Sequence, residues 1–228
     1  MLSTALLVLL TATSAPDSWR LDTGSSPEVH LNIVNGSIQV EAIEGGTVSV
    51  EARGDEGAQA EPLVNVSHEG NAVEVQVCCG SCGDQVKDFD CRSARAVHLV
   101  VKVPRAASLE LSSVGAPVKV VGVAGSLEVS TVNGAVTLSG SRGRTEVSTV
   151  GGRVELMPEA LERIEVSTVS GDVKLKMPRD ANARVEFASV GGRFNGRRVP
   201  LGFGTKQLVG EGANPVMVST VSGSFDLQ

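Results

Sequence analysis

The chain has 228 residues, of which 41% are hydrophobic, with 20 Lys and Arg against 26 Asp and Glu. That is enough apolar material to bury a core, which excludes wholesale disorder, and a net charge of -6 at pH 7 excludes a general phosphate-binding surface, so nucleic acid is not an expected partner. With no Tyr, one Trp and five Phe beside 26 Gly, the composition favours strands and turns, and it disfavours pockets that hold a sugar or base by stacking.

In chain order, residues 1–15 read as a signal peptide. The run Leu6, Leu7, Val8, Leu9 and Leu10 is of signal-peptide size, and Thr13, Ser14 and Ala15 are small residues of the kind a signal peptidase accepts. The mature chain is expected to begin near Pro16 in an exported protein, in the periplasm, at the cell surface or secreted. No stretch approaches the roughly 20 apolar residues that a membrane-spanning helix needs, so an integral membrane protein is not expected.

Residues 16–104 form an irregular N-terminal β region, with alternating or buried strands over 47–51, 73–77 and 97–103. Between the last two lies a cysteine-rich loop, 78–91, holding Cys78, Cys79, Cys82 and Cys91. In an oxidising compartment two disulfides would hold this loop, in one of three pairings, with a bond between adjacent Cys78 and Cys79 disfavoured by strain. The functional alternatives are a four-thiolate zinc site and a redox Cys79-x-x-Cys82 pair.

Residues 105–228 are a repeat region. The segment LEVSTVNGAVTL at 127–138 returns as TEVSTVGGRVEL at 145–156, IEVSTVSGDVKL at 164–175, VEFASVGGRFNG at 185–196 and VMVSTVSGSFDL at 216–227, with a weaker copy, LELSSVGAPVKV, at 109–120 and a distant one at 29–40. Val114, Val132, Val150, Val169, Val190 and Val221, each preceding a turn, are 18, 18, 19, 21 and 31 residues apart. Each unit alternates as a half-buried strand, turns, and alternates again. Gly134, Gly152, Gly171, Gly192 and Gly223 occupy one place in the turn, where a residue without Cβ is expected to take positive φ.

Two all-β arrangements fit this unit. In a parallel β-solenoid, or β-helix, each copy is one coil and like residues stack at about 4.8 Å. In an antiparallel β-sandwich, Asn133-Gly134 and its equivalents are hairpin turns. Near-identical side chains at a near-constant step favour the solenoid, because stacking selects identity and a meander does not.

The tandem Val-Ser-Thr-Val-(Asn/Gly/Ser)-Gly units behind a signal peptide resemble the bacterial exported "putative adhesin" family of β-strand repeats, a domain of unknown function. The resemblance covers about residues 27–228 and is best over 109–228. It implies a β-helix-like fold at the cell envelope, no established enzyme activity and no catalytic motif to transfer. The cysteine-rich loop departs from the family pattern.

In the solenoid arrangement Glu110, Glu128, Glu146, Glu165 and Glu186 stack in one column, and His30 falls on the same position. Two unit charges 4 to 5 Å apart repel by roughly 1 kcal/mol even in water, so the column needs compensation. Candidates are Lys or Arg of neighbouring strands, such as Lys119 and Lys174, or a divalent-cation ladder suited to Ca²⁺. The hydroxyl pairs Ser130-Thr131, Ser148-Thr149, Ser167-Thr168 and Ser219-Thr220 are expected to form cross-strand hydrogen-bonded ladders. Arg142, Arg144, Arg153, Arg193, Arg197 and Arg198 read as solubility charges.

The expected role is a non-enzymatic envelope or surface protein, an adhesin or a structural or binding scaffold, with an envelope protein or a glycan as ligand. No catalytic residue and no cofactor is expected. Alternatives are a β-helix carbohydrate-active enzyme and a sensory binding domain of an envelope stress pathway. Because 216–227 is the last copy, its edge is expected to lie open and to offer self-association through the C-terminal coil.

Overall fold

The computed structural model describes residues 17–55, 59–60, 63–80, 82, 95–200 and 204–228. The signal peptide expected over 1–15 and Cys91 lie outside the described residues. Among those described, every regular element is a strand, and no helix is long and apolar enough to cross a membrane.

The N-terminal region supplies β1 (Asp17–Asp22), β2 (Glu28–Ile33), β3 (Gly36–Ile43), β4 (Thr47–Gly54), β5 (Val64–Glu69), β6 (Ala72–Val77) and β7 (Val97–Pro104). The repeats supply β8 (Ser108–Ser113), β9 (Val118–Val121), β10 (Leu127–Thr131), β11 (Val136–Ser139), β12 (Thr145–Thr149), β13 (Val154–Met157), β14 (Ile164–Thr168) and β15 (Val173–Leu175). There follow β16 (Ala183–Ser189), β17 (Arg193–Phe194), β18 (Arg197–Arg198), β19 (Gly204–Val209), β20 (Asn214–Thr220) and β21 (Ser224–Leu227).

The strands of the described residues build two large mixed sheets. One has eleven strands in the order β1-β4-β7-β3-β9-β11-β13-β15-β21-β17-β18, the other ten in the order β19-β16-β20-β14-β12-β10-β8-β2-β6-β5. The two strands of each repeat unit lie in different sheets. The turn at Asn133-Gly134 is therefore not a hairpin, because β10 and β11 do not pair with each other. Each strand pairs with its counterpart in the next unit, parallel and in register: Leu127 meets Leu109 on one side and Thr145 on the other, Val136 meets Val118 and Val154.

The layering is that of a sandwich, and the pairing is mixed. It is parallel along the repeats and antiparallel at both ends, where β1 joins β4, β4 joins β7 and β5 joins β6 at one end, and β16 joins β19 and β17 joins β18 at the other. These antiparallel strands close the ends of the stack, as atypical terminal units do in repeat proteins.

Alternation within each strand fills one shared core. Val129, Leu138, Val147, Val154, Val166 and Leu175 are fully or almost fully buried, and Leu31, Val40, Val75, Leu99 and Val101 continue the same core into the N-terminal region. Phe187, Phe194 and Phe225 pack together near one end, with ring centroids 5.5 to 5.8 Å apart.

The turn glycines are needed for a reason other than the one expected. None of the five has positive φ. They are glycine because the backbone of the adjacent unit passes directly beneath: a Cβ on Gly134 would lie 2.1 Å from the Ala116 carbonyl oxygen, one on Gly152 2.0 Å from that of Gly134, and one on Gly171 2.1 Å from that of Gly152. Close backbone approach, not conformational freedom, selects the residue.

The last repeat also departs from expectation. β20 lies between β14 and β16, and β21 lies between β15 and β17, so the segment 216–227 is flanked on both sides and presents no open edge.

Gly152→Ala forces a Cβ against a backbone oxygen that cannot move without shifting the whole unit, and it is expected to destabilise the fold by about 1–3 kcal/mol. Gly191→Ala, whose nearest contact would be 3.9 Å away, is expected to be nearly neutral. Chemical denaturation of the two variants side by side checks the difference.

Candidate functional site

Period-two alternation sends every second residue of the ten-stranded sheet outward. In the unit 127–132 these are Glu128, Ser130 and Val132, and register carries the same three types from unit to unit. The outer face is thus ruled into columns, first acidic, then hydroxyl, then aliphatic.

The aliphatic column is the least expected feature. Val114, Val132, Val150, Val169, Val221 and Val190 are each between 40% and 56% exposed, whereas most valines of the chain are buried. With Val34 at the β2 end the column has seven members, about 29 Å at ~4.8 Å per step. Beside it run Asn32, Ser112, Ser130, Ser148, Ser167 and Ser219. The two columns line a groove of about 910 Å³ that reaches Val77, Cys78 and Cys79, and among the described residues no charged side chain lines it. The sequence reading used these valines only to measure the repeat. The signal was present, since Glu, Ser and Val at i, i+2 and i+4 must share one face of a strand.

The backbone of the groove wall is satisfied internally. The Val132 and Asn133 amides donate to Ser113 and Val114 carbonyls, and the Val150 and Gly151 amides donate to those of Thr131 and Val132. What the wall offers a ligand is methyl groups and serine hydroxyls.

The paired hydroxyls divide their labour. The Ser column faces out, and one cross-strand contact, Ser167 Oγ to Ser219 Oγ at 3.2 Å, has the ladder form expected. The threonines face in and cap the turn. Thr131 Oγ1 accepts from the Gly134 amide at 3.0 Å, Thr149 from Gly152 at 3.1 Å, Thr168 from Gly171 at 2.8 Å and Thr220 from Gly223 at 2.8 Å. The Ser-Thr-Val-x-Gly motif is thus a local device that satisfies a buried amide at each corner.

The glutamate column forms in part. Glu110, Glu128, Glu146 and Glu165 are in register, and His30 stacks against Glu110, its Nδ1 2.9 Å from the carboxylate. Glu186 is not next in line, because the inserted last repeat places Met217 between it and Glu165. Compensation comes from arginines two residues before the acids. Arg144 reaches Glu146 at 2.8 Å, Arg163 reaches Glu165 at 3.3 Å, and Arg184 and Lys206 reach Glu186 at 3.6 and 3.0 Å. Lys119 and Lys174 belong to β9 and β15 of the opposite sheet and cannot serve. Among the described residues no group of three or more His, Cys, Asp or Glu side chains converges as a metal would require.

Away from this face, Arg142 makes a two-pronged contact with Glu159, its Nε donating at 3.0 Å. The hydrogen bond from Arg142 holds the Glu159 carboxyl below its ordinary range. Its contribution is therefore present above the usual carboxylate pKa and is lost as the pH falls through the lowered value.

Cys78 and Cys82 form a disulfide with Cα atoms 5.5 Å apart, and Cys79 is disulfide-bonded as well. The Cys79-x-x-Cys82 redox pair therefore does not form, since Cys82 is bonded to Cys78, and bonded cysteines supply no thiolates to a zinc ion. One arrangement escaped the sequence reading: Ser37 Oγ lies 2.8 Å from His98 Nδ1, and His98 Nε2 lies 3.1 Å from Asp55 Oδ1. His98 and Asp55 are about half exposed, and none of the three residues lines the groove. A hydrolytic triad turns the imidazole the other way, with Nε2 toward the nucleophile, and encloses it in a site that binds the oxyanion.

Thr149→Val keeps the shape of the side chain and removes the acceptor of a buried amide. It is expected to cost about 1–3 kcal/mol of stability, with Thr149→Ser restoring most of the loss, as read by thermal unfolding.

No family model matches the chain, and no curated protein matches it significantly. Among solved structures it is similar to a "putative cell adhesion protein" from Clostridium sporogenes, at 11% identity and a TM-score of 0.48, over 93% of this chain and 98% of that one. It is also similar to a "putative lipid binding protein" from Parabacteroides distasonis, at 12% identity and a TM-score of 0.44, over 94% and 97%. A third, a "putative adhesin" from Parabacteroides merdae, has 11% identity and a TM-score of 0.30, over 94% and 96%.

Proposed function

We propose that this chain is a non-enzymatic binding scaffold of the cell envelope or surface, adhesin-like in role, and that the valine and serine groove is its ligand surface. The body is read as a two-faced parallel solenoid in which each repeat contributes one coil. The observation that carries the functional reading is the unbroken run of exposed valines. Apolar side chains lined up along a folded surface are disfavoured in water unless something covers them, and an ordered apolar stripe marks a binding surface.

The groove also limits its ligand. Its described lining is methyl groups and hydroxyls, with neither the charges that would select a polyanion or polycation nor the aromatic rings that would stack sugars or bases. An extended, uncharged ligand with an apolar edge fits, and hydroxyls along the other edge can meet its polar groups. Weak contacts repeated along the row add by avidity rather than by a single pocket.

Export is supported by the apolar run at 6–10 followed by small residues at 13–15 and by the disulfide at Cys78–Cys82, which persists in an oxidising compartment. The carbohydrate-active enzyme is disfavoured by the pairing of Glu146, Glu165 and Glu186 with cations, which engages these carboxylates in ion pairs on the outer face. The sensory alternative shares the same groove and differs only in what occupies it.

The test replaces valine methyls without disturbing the strand. The triple variant Val132→Thr, Val150→Thr, Val169→Thr is expected to lower retention of protein-coated beads on isolated bacterial envelope fragments by at least tenfold, since each valine loses about 0.8 kcal/mol of apolar contact. Unchanged retention with unchanged folding removes the groove from the binding surface. Release of products from a panel of polysaccharides would instead establish the enzyme.

A further inference from the structure

The C-terminal repeat is the last segment in sequence and an interior segment in space. β15 leads through residues 176–182 to β16, which does not pair with β14. A gap one strand wide is left in each sheet, and residues 214–227 fill it. β20 pairs with β14 from Ile164↔Val216 to Thr168↔Thr220 and with β16 from Ala183↔Asn214 to Ser189↔Thr220, while β21 lies between β15 and β17.

The gap is shaped for this segment. Val216, Val218 and Phe225 are buried, and Phe225 packs against both Phe187 and Phe194, with ring centroids 5.7 and 5.5 Å away. A Cβ on Gly223 would lie 2.1 Å from the Gly171 carbonyl oxygen, and one on Gly192 2.2 Å from that of Gly223, so the turn fits tightly on both sides.

The tether is short and held at one place. β19 lies on one side of β16 and β20 on the other, so residues 210–213 cross the start of β16. Gly210 and Gly212 take φ of 62° and 78° to make the crossing. Asn182 pins it, its Oδ1 accepting from the Ala213 amide at 2.9 Å and its carbonyl accepting from the Asn214 amide at 3.0 Å and from Asn214 Nδ2 at 2.8 Å. If the crossing extends instead of folding back, the repeat leaves its own gap and reaches another.

We propose that residues 214–228 act as an exchangeable plug, and that the partner is a second copy of this chain, each copy filling the other's gap. The exchanged pair makes the same strand pairings as the single chain and gains no new surface requirement, which is what allows identical copies to trade an element. Ser219 and Val221 line the groove, so in the exchanged pair each groove contains residues of both copies. This does not depend on the ligand assigned to the groove.

The test uses the full chain. Ser167 and Ser219 are exposed neighbours with hydroxyls 3.2 Å apart, so cysteines at these positions report whether β20 sits beside β14. A Ser167→Cys chain and a Ser219→Cys chain are mixed, unfolded in denaturant with their native disulfides intact, refolded together over a range of concentrations and oxidised. Exchange is expected to give a covalent pair containing one chain of each kind. Its share should rise roughly in proportion to concentration while single chains dominate, and should rise at least threefold further when Asn182→Ala unpins the crossing. The double variant Ser167→Cys/Ser219→Cys, refolded dilute, should close an internal link and stay a single chain. The proposal is overturned if crosslinking occurs only within the double variant at every concentration, or if Ser167→Cys alone gives as much covalent pair as the mixture, which would mark a surface contact instead.

Discussion

The constraint on which the rest of the molecule depends is the stacking of one repeat's backbone directly on the next. Parallel, in-register pairing places each residue about 4.8 Å from its counterpart, and the contact continues through the turn, where one unit's carbonyl oxygen lies where a Cβ would stand on the next. A Cβ on Gly134, Gly152, Gly171, Gly192 or Gly223 would push the units apart. Glycine at these five turns is a packing requirement, whereas the copy at 109–120 carries Ala116 at the same place. The threonine three residues before four of these glycines follows from that packing: the turn buries the glycine amide, and the hydroxyl supplies its acceptor.

The same stacking has an electrostatic consequence. Repetition that is harmless for Val and Ser is costly for Glu, because it sets like charges at the inter-strand distance. The chain offsets this from within. Arg144 and Arg163 stand two residues before Glu146 and Glu165 on the same face, and His30 occupies a rung of the column itself. These are exposed pairs, worth a few tenths of a kcal/mol to about one each, and their role is to relieve repulsion more than to add stability.

Columns of identical chemistry also make a surface with direction. Across the face the chemistry changes from acid to hydroxyl to methyl, while along the stack it hardly changes. A ligand lying along the valine row meets the same groups at every step, whereas one lying across it meets three different environments. On the proposed reading, that anisotropy would suit an extended ligand, whose affinity would grow with the number of units covered. Among the described residues the groove reaches Cys78 and Cys79, beside the Cys78–Cys82 disulfide.

The all-β class, the alternation and the unit boundaries were legible in the residues, because period-two burial and a constant step are properties of the string itself. The stacking of Glu110, Glu128, Glu146 and Glu165 followed from identity at fixed spacing, and the valine row was equally available, since Glu128, Ser130 and Val132 share a face by parity. What only the tertiary structure decided is which unit neighbours which. Near-identical copies are near-equivalent as partners, so nothing local distinguishes β20 beside β16 from β20 at the end of the row. That choice rests on the crossing of residues 210–213 over Asn182 and on the packing of Phe225 against Phe187 and Phe194, contacts between segments far apart in the chain. The pairing of Cys82 with Cys78 was likewise decided by the path of the backbone in space, because four cysteines in one loop leave several partners within reach.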